Sequence, residues 1–138
     1  MERLAASANA GATYFATVFL LGFAVGIVRV LVFEPEVGAF AAVALELPLM
    51  LAASWFACAT LVQWFAVDAG FGDRTLMGAV AFILLFMAEL GLSVAAGGTT
   101  EEFFLRFADS PAQLGLIGQV IFALFPLIQG AWPKVSRQ

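Results

Sequence analysis

The sequence has no histidine and a single cysteine, and these two scarcities exclude several kinds of chemistry. Without histidine there is no histidine-ligated haem, none of the usual zinc and copper sites, and no imidazole for acid–base catalysis. The lone Cys58 allows neither an intrachain disulfide nor a C-x-x-C redox pair. No nucleophile–base pair, phosphate-binding glycine loop or metal-ligand spacing is present either. We therefore expect no metal, no cofactor and no enzyme activity.

Charged residues are also scarce. They make up 12% of the chain, with six basic against ten acidic residues, and the basic ones form no cluster. We therefore expect no nucleic-acid partner. Hydrophobic residues make up 63% of the 138 residues, whereas soluble domains have about 45–50% apolar and about 25% charged residues. The composition predicts an integral membrane protein whose surroundings are a lipid bilayer.

Four long apolar runs predict an all-α, polytopic membrane protein with four transmembrane helices. Each run reaches the roughly 20 apolar residues that a helix needs to cross the hydrocarbon core. The runs are continuous rather than alternating, which favours helices over a β-barrel. Connectors at 34–38 and 68–74 separate the first three runs, and Asp73 or Thr75 is predicted to cap the third helix. The predicted helices, which form a single domain over residues 1–138, cover about 10–33, 37–67, 75–97 and 111–132.

The last connector predicts a short interfacial helix near residues 100–109. Thr99 and Glu102 have the spacing of a capping box, which marks a helix start. Phe103, Phe104 and Phe107 give this helix an apolar side, and acidic residues oppose it. Two interpretations stay open: the helix rests on the lipid surface, or it covers the polar residues of the bundle as a lid.

The distribution of basic residues predicts the orientation in the membrane. With four spans, one side carries most of the basic residues, and the other side has Arg106 in its loops and Arg29 near a helix end. Basic residues favour the cytoplasmic side. We therefore predict cytoplasmic N- and C-termini in a bacterial-type inner (plasma) membrane. The residues on the predicted cytoplasmic side are Arg3, Arg74, Lys134 and Arg137.

Each predicted span carries one strongly polar side chain at a similar depth. With a rise of about 1.5 Å per residue, Arg29 lies about 10 Å and Glu46 about 15 Å from the 34–38 connector. By the same count, Glu89 and Gln119 each lie about 12 Å from the last connector. A charged side chain that faces lipid near the bilayer centre costs between about 2.5 and more than 10 kcal/mol. These residues are therefore expected to face the interior of the bundle and to meet there.

The residues Arg29, Glu46, Glu89 and Gln119 form the candidate binding site. Arg29 has five donors and can bridge the two carboxylates. Two carboxylates beside one guanidinium leave a negative charge that can hold a proton or a cation. Two alternatives stay open: the ion pairs only fix the register of the helices, or the four residues have unrelated roles.

Two glycines and two prolines are candidates for helix packing. Gly22 and Gly26 have the G-x-x-x-G spacing that allows a partner helix to approach closely, within the chain or from a second protomer. Pro48 and Pro126 each free the carbonyl four residues earlier, and both predict a kink. For Pro126 the freed carbonyl is that of Phe122.

Three functional hypotheses follow from these features. The first is a small membrane protein with a buried polar pocket in the outer half of the bundle, which binds or passes a proton, a cation or a small amine-bearing solute. Since four helices enclose little space, transport would require a homo-oligomer or a larger membrane complex. The second is an accessory or scaffold subunit in which the Arg–Glu cluster is purely structural. The third is a lipid-modifying enzyme with two glutamates as acid and base.

Overall fold

The computed structural model describes residues 1–131, and within them the chain forms helices and no strand. Four helices are long and apolar enough to cross a membrane, so the chain is an all-α polytopic membrane protein, as predicted. Trp132, Lys134 and Arg137, which entered the sequence predictions, lie outside the described residues. The helices are α1 (Glu2–Val28), a π-helical segment (Arg29–Phe33), α2 (Glu34–Val37), α3 (Ala39–Trp64), α4 (Phe71–Ala95), α5 (Thr100–Leu105), a 3-10 turn (Arg106–Ala108) and α6 (Ser110–Ala131).

The first connector is shorter than the predicted turn at 34–38. The helix continues from α1 through the π-helical segment into α2, so that one span covers Glu2–Val37. The N–H of Glu34 bonds to the carbonyl of Arg29, five residues back, which is the π-helical pattern. The chain turns only at Gly38, whose φ of 86° is open to glycine but strained for other residues. Pro35 lies in the first turn of α2, a position where proline is tolerated.

The third span also begins earlier than predicted. α4 starts at Phe71 after an extended Gly70, and no side chain within residues 1–131 caps it. The prediction that Asp73 or Thr75 caps this helix is therefore wrong, because both residues already lie inside α4. The Asp73 carboxylate instead pairs with Arg3 at 2.8 Å, which joins the starts of α1 and α4.

The four spans form a ring in which α1 packs against α3 and α4, and α6 packs against the same two helices. One end of the ring carries the N-terminus and the 65–70 turn; we call it the packed end. The other end carries Gly38 and the connector at 96–109; we call it the cavity end. Most buried core residues lie toward the packed end, and they include Ala10, Tyr14, Cys58, Met77, Ala81, Phe122 and Phe125.

Within this core, Tyr14 of α1 contacts α6, which lies on the opposite side of the ring of helices. Its side chain is fully buried, its ring stacks on Phe122 with centroids 4.1 Å apart, and its hydroxyl donates to the Phe122 carbonyl at 2.8 Å. That carbonyl lies four residues before Pro126, which has no N–H to offer it. Tyr14 therefore supplies the hydrogen bond that the proline removes from α6.

Arg74, placed in a loop by the sequence analysis, lies in the first turn of α4 and is only 5% exposed. Its guanidinium donates to three backbone carbonyls, those of Val67, Asp68 and Pro126. A buried guanidinium needs such partners because its charge has lost its water. Arg74 thus ties the 65–70 turn to α6 at the packed end.

Within the described residues, the close glycine contacts lie elsewhere than at Gly22 and Gly26, and a contact of these two glycines with a second protomer stays a prediction. A Cβ at Gly22 would meet only the tip of Met50, and a Cβ at Gly26 would approach only the Arg29 side chain of its own helix. Within residues 1–131, then, this G-x-x-x-G spacing is not a close helix–helix contact. Close backbone approach occurs instead at Gly11 on α1 and Gly78 on α4, where an added Cβ would strike a neighbouring helix's backbone carbonyl.

Candidate functional site

A cavity of about 1020 Å³ opens between the four spans at the cavity end. All four polar residues predicted to share one depth, Arg29, Glu46, Glu89 and Gln119, lie on its wall. Each comes from a different span, so the cavity sits at the common axis of the ring. The similar depths of these residues, counted from the sequence, therefore correspond to a single cavity that all four spans line.

Arg29 holds two carboxylates on the α1–α3 side of the cavity. Its Nη1 donates to Glu34 Oε1 at 2.5 Å, and its Nε lies 2.5 Å from Glu46 Oε2. The second contact is an ion pair by distance, although its N–H does not point at the oxygen as a hydrogen bond requires. Each of the three side chains is no more than 28% exposed, so the triad is partly desolvated.

The π-helical segment explains why Glu34 reaches Arg29. The two residues are five apart, a separation that brings side chains onto one face of a π-turn but not of a regular α-helix, whose neighbours are three and four apart. Single π-turns inside α-helices occur frequently at functional sites. The widened turn thus positions a second carboxylate beside Arg29.

Glu89 and Gln119 form a second polar pair on the α4–α6 side. The amide Nε2 of Gln119 donates to both carboxylate oxygens of Glu89, at 2.7 and 2.8 Å. The remaining amide atom, Gln119 Oε1, is buried and has no hydrogen-bond partner within residues 1–131. Glu89 therefore has a neutral direct partner, whereas Glu46 is paired with a cation.

This pairing differs from the predicted one. The sequence analysis expected Arg29 to bridge Glu46 and Glu89, but Arg29 binds Glu46 and Glu34 instead. The reason is that the first helix does not end at Phe33, so Glu34 stays in helical register with Arg29. The four residues thus line one cavity as two separate pairs.

Three charged residues of the cavity wall were not part of the predicted site: Glu34, Arg106 and Asp109. Glu34 had been assigned to the first connector, and the other two to the interfacial segment. In the sequence, only the interpretation of that segment as a lid over the polar residues placed Arg106 and Asp109 near the site. With them, the wall carries the carboxylates of Glu34, Glu46, Glu89 and Asp109 and the guanidiniums of Arg29 and Arg106, so its formal charge is negative.

The 3-10 turn that follows the short helix α5 lines part of the cavity mouth with Arg106 and Phe107. The capping box of Thr99 and Glu102 is present as predicted, with both of its hydrogen bonds at 3.1 Å. Phe103 is fully buried and meets Phe86 of α4 edge to face. The turn that follows places Arg106 on the cavity wall, 5.0 Å from the centre of the Phe103 ring. The turn thus contributes to the cavity wall, and the choice between a lid and a helix on the lipid surface stays a prediction.

Comparison with known proteins adds no assignment to this geometry. The chain matches no protein-family profile, and it shows no significant similarity to a curated protein or to a solved structure. The fold class, an all-α polytopic membrane protein, is accordingly defined by the four spans themselves.

Proposed function

We propose that the protein binds, or passes across the membrane, a proton, a cation or a small amine-bearing solute in this cavity. The observation that carries the proposal is the excess of carboxylates among the described residues of the cavity wall, four against two guanidiniums, in a space shared by all four spans. A net negative wall attracts cations because the surrounding apolar medium screens charge far less than water does. Glu89 is the central acceptor, since its direct partner is a neutral amide.

Each of the four predicted residues has a role in this proposal. Glu46 and Glu89 accept the ligand's positive charge or proton. Arg29 holds Glu46 in place through the 2.5 Å ion pair, and Gln119 orients Glu89 by binding both of its oxygens. Ionisable groups inside membrane spans are typically functional because their burial is costly.

The packed end constrains how a solute could cross. Tyr14 and Met77 are fully buried there and Phe122 is 2% exposed, so side chains fill the ring below the cavity. Passage would therefore require a conformational change or a path between subunits, which favours a homo-oligomer or a larger complex. Binding at the cavity requires neither.

We further propose that the cavity end faces outward and the termini face the cytoplasm in a bacterial-type inner membrane. Arg3 and Arg74 lie at the packed end, where the positive-inside rule predicts cytoplasm. At the cavity end, Arg29 and Arg106 both lie on the cavity wall. Labelling cysteines placed at Glu36 and at Gly70, both exposed, with a membrane-impermeant reagent tests this orientation: only the first should react in intact cells.

The functional test uses the purified full chain in liposomes and nanodiscs. Cation and amine binding, proton flux and solute uptake are measured for Glu89→Gln and Glu46→Gln, with Glu101→Gln as the matched control. Glu101 is exposed on α5 and is not on the cavity wall. We expect Glu89→Gln to weaken binding most, Glu46→Gln to weaken it less and the control to leave it unchanged. If both cavity variants bind and transport like the parent, the proposal is wrong.

A further inference from the structure

The cavity has two chemically different zones. Charged groups lie near its mouth and middle, whereas its deeper wall is apolar apart from Ser54, whose hydroxyl donates to the Met50 carbonyl of its own helix. Leu85 lies about one turn below Glu89 on α4, and Phe122 about one turn below Gln119 on α6. Val18 and Met50 complete this deeper zone from α1 and α3. A ligand that fills both zones must carry a polar and an apolar part.

The size of the cavity also limits the class of ligand. A volume of about 1020 Å³ lies at the upper end of the roughly 300–1,000 Å³ that pockets for drug-sized molecules enclose. A bare proton or a monatomic cation would leave the apolar zone without a function. An organic ligand with a ring-containing or branched apolar body would fill the apolar zone.

The polar pair on the α4–α6 side supplies acceptors for such a ligand. The Glu89 carboxylate has lone pairs beyond the two used by Gln119, and Gln119 Oε1 has no donor within the described residues. The terminal torsion of a glutamine is soft. A modest rotation therefore turns Oε1 toward the cavity while Nε2 keeps one of its two bonds to Glu89. Two neighbouring acceptors then match a ligand with at least two N–H bonds.

We propose that the cavity selects hydrophobic primary or secondary ammonium ions, with the ammonium between Glu89 and Gln119 and the apolar body against Leu85 and Phe122. This inference rests on the proposed function and narrows its ligand class. A quaternary ammonium carries the same charge but has no N–H to donate, and an alcohol donates without the charge. Simple inorganic cations lack the apolar body.

Four matched probes separate these features in nanodiscs containing the full chain, with empty nanodiscs subtracted. The probes are 1-naphthylmethylamine, 1-naphthylmethanol, trimethyl(1-naphthylmethyl)ammonium and methylammonium. Their binding is measured by isothermal titration calorimetry and by competition between probes. We expect the primary amine to bind best. The quaternary probe has no N–H and should bind at least about tenfold more weakly, since a hydrogen bond to a charged group contributes about that factor or more. The alcohol lacks the charge and methylammonium lacks the apolar body, so both should also bind more weakly.

Two variants test the assigned contacts. Glu89→Gln should weaken binding of both ammonium probes, because it removes the charge that they share. Gln119→Met removes the second acceptor at similar length, so it should reduce the preference for the primary over the quaternary amine, while the N–H bond to Glu89 retains part of that preference. Should either variant fold poorly, the ranking of the four probes on the unmodified protein tests the inference by itself.

The outcomes separate this inference from the proposed function. If methylammonium binds as tightly as 1-naphthylmethylamine, in a manner that depends on Glu89, the proposed function stands and the hydrophobic ligand class is wrong. Equal binding of the primary and quaternary probes overturns the role of Gln119 and the N–H requirement. If no cation binds and no proton flux is found, both are wrong.

Discussion

Replacing Tyr14 by phenylalanine removes one oxygen atom and tests the best-defined long-range contact in the core. The hydroxyl donates at 2.8 Å to the Phe122 carbonyl, which lies 108 residues away in the sequence. The Tyr14 ring is stacked on Phe122 and fully buried, so the phenylalanine ring fits the same space. The substitution therefore changes the hydrogen bond and little else.

The expected magnitude follows from the environment of the carbonyl. A side-chain hydrogen bond between membrane helices contributes about 0.6 kcal/mol on average and about 1.7 kcal/mol at most. Here the loss leaves a buried carbonyl without a donor, because Pro126 offers none. Such a group adds a penalty of about 1–3 kcal/mol. We expect Tyr14→Phe to lower the free energy of unfolding by about 1–2 kcal/mol, toward the upper end of the membrane range.

Pro126→Ala provides the second side of a double-mutant cycle. With alanine at position 126, the backbone N–H can donate to the Phe122 carbonyl, as in a regular helix. Tyr14→Phe should then cost less than about 0.5 kcal/mol in this background, so the coupling energy between the two sites is about 1 kcal/mol. Pro126 is fully buried, and its replacement alone changes packing as well. The cycle subtracts that common effect.

Unfolding in detergent mixtures of rising SDS content, followed by near-ultraviolet circular dichroism, measures these free energies. Thr17→Val is the matched control, because the Thr17 hydroxyl is exposed and donates to the Thr13 carbonyl of its own helix. We expect this control to change stability by less than about 0.5 kcal/mol. Equal costs of Tyr14→Phe in the Pro126 and alanine backgrounds would refute the compensation between Tyr14 and Pro126.

Three further predictions concern packing, a buried charge and a helix cap. Gly78→Ala should destabilise the fold by about 1–3 kcal/mol in SDS unfolding, because its Cβ would strike the Ala123 carbonyl; Gly91→Ala, with open space on the same helix, should be neutral or slightly stabilising. Arg74→Lys should lower the thermal midpoint, since one ammonium cannot copy a planar guanidinium that serves three carbonyls; an unchanged midpoint would contradict that role. Thr99→Ala should increase amide exchange in α5 alone, as expected for loss of a cap that contributes about 1 kcal/mol; increased exchange throughout α6 would contradict a local effect.

The polar residues of the candidate site could be found from the sequence because membrane burial makes them conspicuous. Arg29, Glu46, Glu89 and Gln119 interrupt apolar runs, and counting the helical rise put them at one depth. Their pairing could not be found in the same way. The pairing depends on the rotation of each helix about its own axis and on the order of the helices around the ring. A sequence this uniformly apolar specifies neither.

Glu34 illustrates this limit. Its neighbours Pro35 and Gly38 are turn-forming residues, so the sequence predicted that the helix had already ended. The structure continues the helix through a π-turn, and Glu34 faces Arg29 rather than lying in a connector. The turn preference of Pro35 and Gly38 is overridden at Glu34, because the continued helix gives the partly buried Arg29 a second carboxylate partner.

The sequence by itself determined the class of protein, the number of spans and the freed Phe122 carbonyl, since these depend on apolar length and on the missing N–H of proline. Only the tertiary structure decided that Tyr14 satisfies this carbonyl and that Gln119, not Arg29, holds Glu89. The physical reason is range: helix formation depends on neighbouring residues, whereas these contacts join residues that are 108 and 30 positions apart. Which side chains meet at such separations is set by how the four helices pack around one cavity.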